Sequence, residues 1–304
     1  MITDTLASDE AALPAAWRDY FELTKPRVVA LMLLCAVVGM LLASPLLPSL
    51  ALVITTLLGI ALVAGSAAAV NHIADAKVDA RMQRTQDRPV AKGRVSHLAA
   101  GAFAGFTGVF GFLVLYVFVN PLTAWLNLAS WAGYGLFYTL YLKRATPQNI
   151  VIGGLFGAAP PLFGWTAVTG SLDPEALLLV LIIFVWTPPH FWALALDRRD
   201  EYREAGVPML PITHGDRFTR QQILLYTLLL VACSLLPFLI GMNGVLYLAG
   251  AALLDAVFVY LAVKLLRGGS GRTAMHTFQY SIIYLGALFS VMLADHFLLQ
   301  QTGL

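Results

Sequence analysis

Leu50-Ala-Leu-Val-Ile-Thr-Thr-Leu-Leu-Gly-Ile-Ala-Leu-Val-Ala-Gly-Ser-Ala-Ala-Ala-Val-Asn71-His-Ile-Ala-Asp75-Ala-Lys-Val-Asp79 begins as an apolar run and turns polar without a helix breaker. Residues 50–73 are long enough to cross a bilayer as a helix. At its tail Asn71, Asp75 and Asp79 are spaced i, i+4, i+8, so they lie one above another on one side while the helix continues. Two carboxylates so placed repel each other, and the cost grows where water is scarce. A divalent cation removes that penalty, and Mg²⁺ typically binds through one or two carboxylates plus phosphate oxygens of a substrate. Arg81, Arg84 and Arg88 follow at once as planar fork donors suited to phosphate or carboxylate. The segment reads as a clamp for Mg²⁺ and diphosphate at a membrane surface.

The rest of the chain agrees with a membrane setting. It is 59% hydrophobic and 12% charged, with a mean hydropathy of +0.77. This composition excludes an ordinary soluble domain. Nine stretches are long enough to span a bilayer, at roughly 28–45, 50–73, 97–119, 122–141, 148–170, 174–196, 221–242, 245–266 and 275–298. The fold class expected is therefore all-α and polytopic, with nine transmembrane helices. Of the 19 Lys and Arg, 18 fall in the N-terminal tail or in the connections after the second, fourth, sixth and eighth spans, and Lys264 lies at the end of the eighth span beside its connection. The positive-inside rule puts the N-terminus and those connections in the cytoplasm and the C-terminus outside.

Residues 1–27 contain five acidic residues and no apolar signal core, which predicts a cytoplasmic tail and favours a bacterial inner membrane. Within that tail Trp17-Arg-Asp-Tyr-Phe-Glu-Leu23 predicts an interfacial helix. Residues 28–304 read as a single nine-helix domain. Cys35 and Cys233 lie in different apolar segments and read as small buried hydrophobes. Pro160-Pro161 and Pro188-Pro189 each remove two backbone donors, which predicts broken helices lining a cavity open to the cytoplasm.

Two further constellations lie on the same side. One is Trp186-Thr-Pro-Pro-His190-Phe-Trp192, followed by Asp197-Arg198-Arg-Asp200-Glu201-Tyr202. If the sixth span continues past its prolines, His190, Asp197 and Glu201 share a face. The other, Tyr138-Thr-Leu-Tyr141-Leu-Lys143-Arg144, ends the fourth span; its cations are either positive-inside anchors or neutralise a leaving diphosphate. His190, beside a proline pair and two tryptophans, is the histidine expected to face the cavity. Asp255 is the carboxylate deep inside an apolar segment, with no partner visible in the sequence.

Together these motifs resemble the UbiA superfamily of intramembrane prenyltransferases. The likeness is carried by Asn71-x3-Asp75-x3-Asp79, the acidic motif after the sixth span, and nine helices. A narrower resemblance, to its heme-farnesylating branch, rests on several segments: Leu23-Thr-Lys-Pro-Arg27, Asp79-x2-Met82-x-Arg84-Thr85-x2-Arg88-Pro89, Leu142-Lys143-Arg144-x-Thr146-Pro147, and Thr187-Pro-Pro-His190. Glu201 stands where that branch usually has Asp, with Asp200 and Asp197 as alternative ligands. The resemblance implies transfer of farnesyl from farnesyl diphosphate to a vinyl group of heme b, with addition of water, giving heme O.

It also implies roles. Asn71, Asp75 and Asp79, with Asp200 or Glu201 at a second position, would hold Mg²⁺, while Arg84, Arg88, Lys143 and Arg144 would meet the diphosphate. Arg27 and Arg198 would take the heme propionates, Tyr202 would contact substrate, and His190 would sit near the reacting vinyl group. Partners implied are farnesyl diphosphate, heme b, the lipid bilayer, and heme A synthase or terminal-oxidase assembly factors; no nucleic acid is expected. A prenyltransferase for an aromatic or quinone precursor shares the acidic motifs, but the Thr-Pro-Pro-His and Leu-Lys-Arg-x-Thr-Pro segments argue against it. A CDP-alcohol phosphotransferase would need a denser Asp pattern, and a non-enzymatic heme carrier would place ionisable groups nearer the bilayer midplane.

Overall fold

The computed structural model describes residues 16–82, 85–268 and 271–302. Among them regular structure is entirely helical, as lipid demands of a chain that must satisfy its own backbone. A short α1 (Trp17–Leu23) leads into α2 (Pro26–Leu42), followed by α3 (Leu50–Asp79) and α4 (His97–Phe118). Next, α5 (Pro121–Trp131) runs into a π-helical segment (Ala132–Leu142) and the single turn α6 (Lys143–Ala145). Then come α7 (Asn149–Gly157), α8 (Pro160–Thr169), α9 (Pro174–Asp197), α10 (Arg199–Glu204) and α11 (Leu210–Thr213). The chain closes with α12 (Gly215–Leu239), α13 (Val245–Leu266) and α14 (Gly271–Thr302).

Local chemistry sets the starts. The Ser49 and Ser96 hydroxyls accept from the third amide of α3 and α4, and Asn120 does the same for α5, with Pro121 after it. Seven helical spans, counting α7 and α8 as one, are long and apolar enough to cross a membrane; α1 and α2, bent by 52°, make an eighth candidate. The stretch expected as the fourth span is α5 plus the π segment, whose wider turns interrupt the α-helical ladder.

The two proline pairs behave differently. Pro160 and Pro161 open α8 after a break from α7, as the sequence predicts. Pro188 and Pro189 do not break α9, which continues through them to Asp197. This corrects the expected second break: the Thr187 hydroxyl bonds the Ile183 carbonyl at 2.8 Å, and helices packed on both sides of α9 hold its course.

α9 is the most enclosed of the candidate spans among the described residues, lying against α12 and α14, while α3 runs along α4 and α2 crosses α8. That crossing needs bare backbone, since a Cβ at Gly39 would lie 2.0 Å from the Pro161 carbonyl oxygen. The core joins Leu179, Ile182 and Trp186 of α9 to Tyr247 and Phe258 of α13 and Tyr284 of α14. Asp255 gains partners the sequence does not disclose, accepting from the Ser234 and Tyr284 hydroxyls at 2.7 Å each. It therefore ties α12, α13 and α14 together.

Candidate active site

A cavity of about 560 Å³ opens between α2, α3, the π segment, α7 and α9. Its charged end is made by Asn71, Asp75 and Asp79 from α3, with Lys25, Arg88 and Lys143 facing them. The remaining wall is largely apolar or aromatic, including Met32, Phe163, Trp186 and Phe191. Asp75 and Asp79 are only 2% and 4% exposed. Buried carboxylates four residues apart need compensating charge, and they have it. Lys143 Nζ lies 2.6 Å from Asp75 Oδ2, and Arg88 Nη1 lies 2.7 Å from Asp79 Oδ2.

Asn71 differs from its expected use as a neutral metal ligand. Its Oδ1 accepts from Lys25 Nζ, and its Nδ2 donates to Asp75 Oδ2 at 2.9 Å. In this arrangement it orients the neighbouring carboxylate. Two hard oxygen ligands at a cavity wall, with room before them for phosphate oxygens, fit Mg²⁺. Among the described residues no cluster of three or more His, Cys, Asp or Glu is arranged to hold a metal.

Of the other expected residues, Arg27, Tyr202 and His190 also line the cavity. His190 is held firmly. Its Nδ1 is 2.6 Å from the Ser281 hydroxyl, and its ring stacks between Trp186 and Phe278 with centroids 4.2 and 4.6 Å away. Arg84 lies outside the described residues, as does the side chain of Arg144.

The second acidic motif is not brought to the cavity. Helix α9 ends at Asp197, and Arg198 at φ −106°, ψ 27° starts a separate turn, so His190, Asp197 and Glu201 do not share one continuous helical face. Asp200 is 77% exposed and bonded to Arg203 at 2.7 Å. Glu201 accepts from Arg198 at 3.4 Å. Neither carboxylate, nor Arg198, belongs to the cavity wall. Local i, i+3 pairing with arginines holds Asp200 and one oxygen of Glu201, while Glu201 Oε2 is buried with no hydrogen-bond partner among the described residues.

Lys25 is the residue that sequence reasoning passed over. It is the only described non-glycine residue with positive φ, at 50°, and this left-handed turn directs its ammonium to Asn71. Its pattern, Lys-Pro-Arg after a short amphipathic helix, gave the sole hint. Tyr134 and Tyr138, stacked at 5.4 Å, also line the cavity from the π segment.

Comparison with known proteins places this geometry. Residues 32–288 match the model of the UbiA prenyltransferase family. A protoheme IX farnesyltransferase of Marinobacter nauticus is 62% identical over 282 residues, covering 93% of each chain. Among solved structures, a digeranylgeranylglyceryl phosphate synthase superposes with a TM-score of 0.78 at 19% identity, over 92% of this chain and 98% of that one. A UbiA homolog from Archaeoglobus fulgidus, bound to GPP and Mg²⁺, gives 0.63 at 15% identity, over 90% and 99%.

Proposed function

The chain belongs to the UbiA prenyltransferase family, and from that premise we propose that it transfers farnesyl from farnesyl diphosphate to a vinyl group of heme b (protoheme IX). Water adds in the same reaction, giving heme O. The observation that carries this reading is one cavity joining a charged end, suited to diphosphate, to an apolar body suited to isoprenoid and porphyrin. The high identity to a protoheme IX farnesyltransferase supplies the choice of acceptor.

Asp75 and Asp79 would hold Mg²⁺, which when bound draws charge from the diphosphate oxygens. Support comes from the solved UbiA homolog that carries GPP and Mg²⁺. Lys25, Arg88 and Lys143 face the same end of the cavity. As the C1–O bond of farnesyl diphosphate breaks, its electron pair leaves with the diphosphate, and these fixed cations meet the growing negative charge. Tyr202, which also lines the cavity, adds a hydroxyl donor.

The vinyl π electrons of heme then bond farnesyl C1. The cation left on the inner vinyl carbon takes the oxygen of water, which loses a proton. Trp186 and Phe191 line the cavity where ring faces shelter positive charge. His190, fixed by Ser281, borders the acceptor, and Arg27, also in the cavity lining, takes a propionate. The reading uses neither Asp200 nor Glu201 as a metal ligand, nor Arg198 for a propionate, because none of the three lines the cavity.

Nine spans follow if α2, α3, α4, α5 with the π segment, α7 with α8, α9, α12, α13 and α14 each cross a bacterial inner membrane. The one-sided Lys and Arg support a cytoplasmic N-terminus and active site. Purified protein incubated with Mg²⁺, radiolabelled farnesyl diphosphate and heme b should yield labelled heme O. Label confined to farnesol or to a non-heme acceptor would overturn the assignment.

A further inference from the structure

Helix α1 has seven residues, too few to persist without tertiary support. Its support comes from the connection after α3 and the start of α4. Leu23 is fully buried among Ala69, Ala76, Val90 and Ala100, and Tyr20 packs on Phe103 with centroids 5.3 Å apart. Arg94 forks across both acidic residues of the helix: Nε donates to Asp19 Oδ1 at 2.7 Å, and Nη2 to Glu22 Oε2 at 3.4 Å. On the other side Trp17 and Phe21, i and i+4, lie at the surface, where aromatic rings suit the bilayer interface. The helix is thus gripped between membrane and loop.

That grip ends at the active site. Beyond Leu23, Thr24 rests against α3 so closely that a Cβ at Gly65 would lie 3.1 Å from its side chain. The chain then bends by 52° into α2, and Lys25 takes its left-handed conformation at the bend. A non-glycine residue holds such a conformation only where its surroundings impose it. From there Lys25 reaches Asn71, which in turn touches Asp75.

We propose that Arg94, which lies outside the cavity wall, is a positioning residue for diphosphate binding: by clamping Asp19 and Glu22 it fixes α1, and through α1 it holds Lys25 against Asn71. This rests on the activity proposed above. Lys25 stands at the bend itself while Arg27, given above to a propionate, lies within α2, so the clamp acts first on the diphosphate side.

The test is a double-variant cycle on the full chain, comparing wild type, Arg94→Ala, Lys25→Met and their combination, with each substrate varied in turn. Arg94→Ala should raise KM for farnesyl diphosphate about fivefold, the scale of one lost ion-pair clamp, with a smaller change in KM for heme b. In the Lys25→Met background the same substitution should add almost nothing, because its effect runs through Lys25. Asp19→Asn with Glu22→Gln, which opens the clamp from the other side, should reproduce Arg94→Ala, and Arg94→Lys should recover part of the loss. Equal increments in both backgrounds, a fall in kcat with both KM values unchanged, or no effect would each overturn the proposal. Binding of the unreactive analogue farnesyl thiodiphosphate, measured by calorimetry on the same four proteins, keeps the question separate from the acceptor. The clamp would stand on that measurement even if wild type failed to farnesylate heme.

Discussion

Lys143 Nζ sits 2.6 Å from Asp75 Oδ2, joining residues 68 positions apart across the charged end of the cavity. Arg88 does the same for Asp79. The carboxylates that would hold a metal are therefore already neutralised by cations that would serve the diphosphate. A metal arriving alone must displace them, whereas a metal arriving with diphosphate gives them new partners. Mg²⁺ alone and farnesyl diphosphate alone should each raise the Tm of the detergent-solubilised protein little, and the two together by several degrees. Chelation in the absence of substrate should leave the melt unchanged. A fall in Tm on chelation alone would contradict this coupling.

Asp75→Asn and Asp79→Asn keep shape and lose charge. Each should lower the single-turnover rate about a hundredfold or more, the scale seen when one preorganised electrostatic partner is removed. Elution profiles should remain those of a folded protein, because the substituted side chain is nearly isosteric. Wild-type rates in both variants would remove the metal assignment.

Arg88→Ala strands Asp79 without its ion-pair partner in a site where Asp79 is largely buried and Arg88 retains 22% exposure. We expect a loss of about 1–3 kcal/mol in stability, discounted from a fully buried pair for that exposure, together with a raised KM for farnesyl diphosphate. Arg88→Lys should restore most of the stability through its charge. It should restore less of the affinity, since an ammonium lacks the planar fork. Equal behaviour of Ala and Lys would show that charge at this position does not matter.

The orientation is testable with two surface positions. Gln86 lies in the connection after α3 and Leu172 in the one between α8 and α9, and both are exposed. A cysteine at Leu172 should react with an impermeant reagent added outside intact cells, and one at Gln86 only after lysis. The opposite pattern would place the active site on the outer face.

What was legible in the sequence follows from which forces are local. The i, i+4, i+8 spacing of Asn71, Asp75 and Asp79 needs only that α3 continue, and it does so to Asp79. The apolar spans are equally local. Lys25 was hidden because its role depends on a backbone bend and a positive φ that no periodicity encodes. The shared face expected of His190, Asp197 and Glu201 is absent because it required α9 to continue past Asp197, where the helix ends. The π segment is not legible either: Ala132–Leu142 has an ordinary apolar composition that does not distinguish a π turn from an α turn.

His190 tests whether the aromatic end of the cavity does more than pack. Its ring is sandwiched by Trp186 and Phe278. Its Nδ1 meets Ser281, whose backbone carbonyl also accepts from Trp186 Nε1 at 2.8 Å. One nitrogen is thereby committed to orientation, and the ring borders the cavity among aromatic groups. His190→Ala should therefore impair heme b use about tenfold or more, with little change in farnesyl diphosphate binding. Packing alone makes a different forecast, because His190→Gln would then be tolerated and Ser281→Ala nearly silent. A role in placing the acceptor requires Ser281→Ala to raise KM for heme b, since the freed imidazole loses its fixed direction. Wild-type heme affinity and single-turnover rate in both His190→Gln and Ser281→Ala would return His190 to the core, and the acceptor would have to be held from the α2 side, around Arg27.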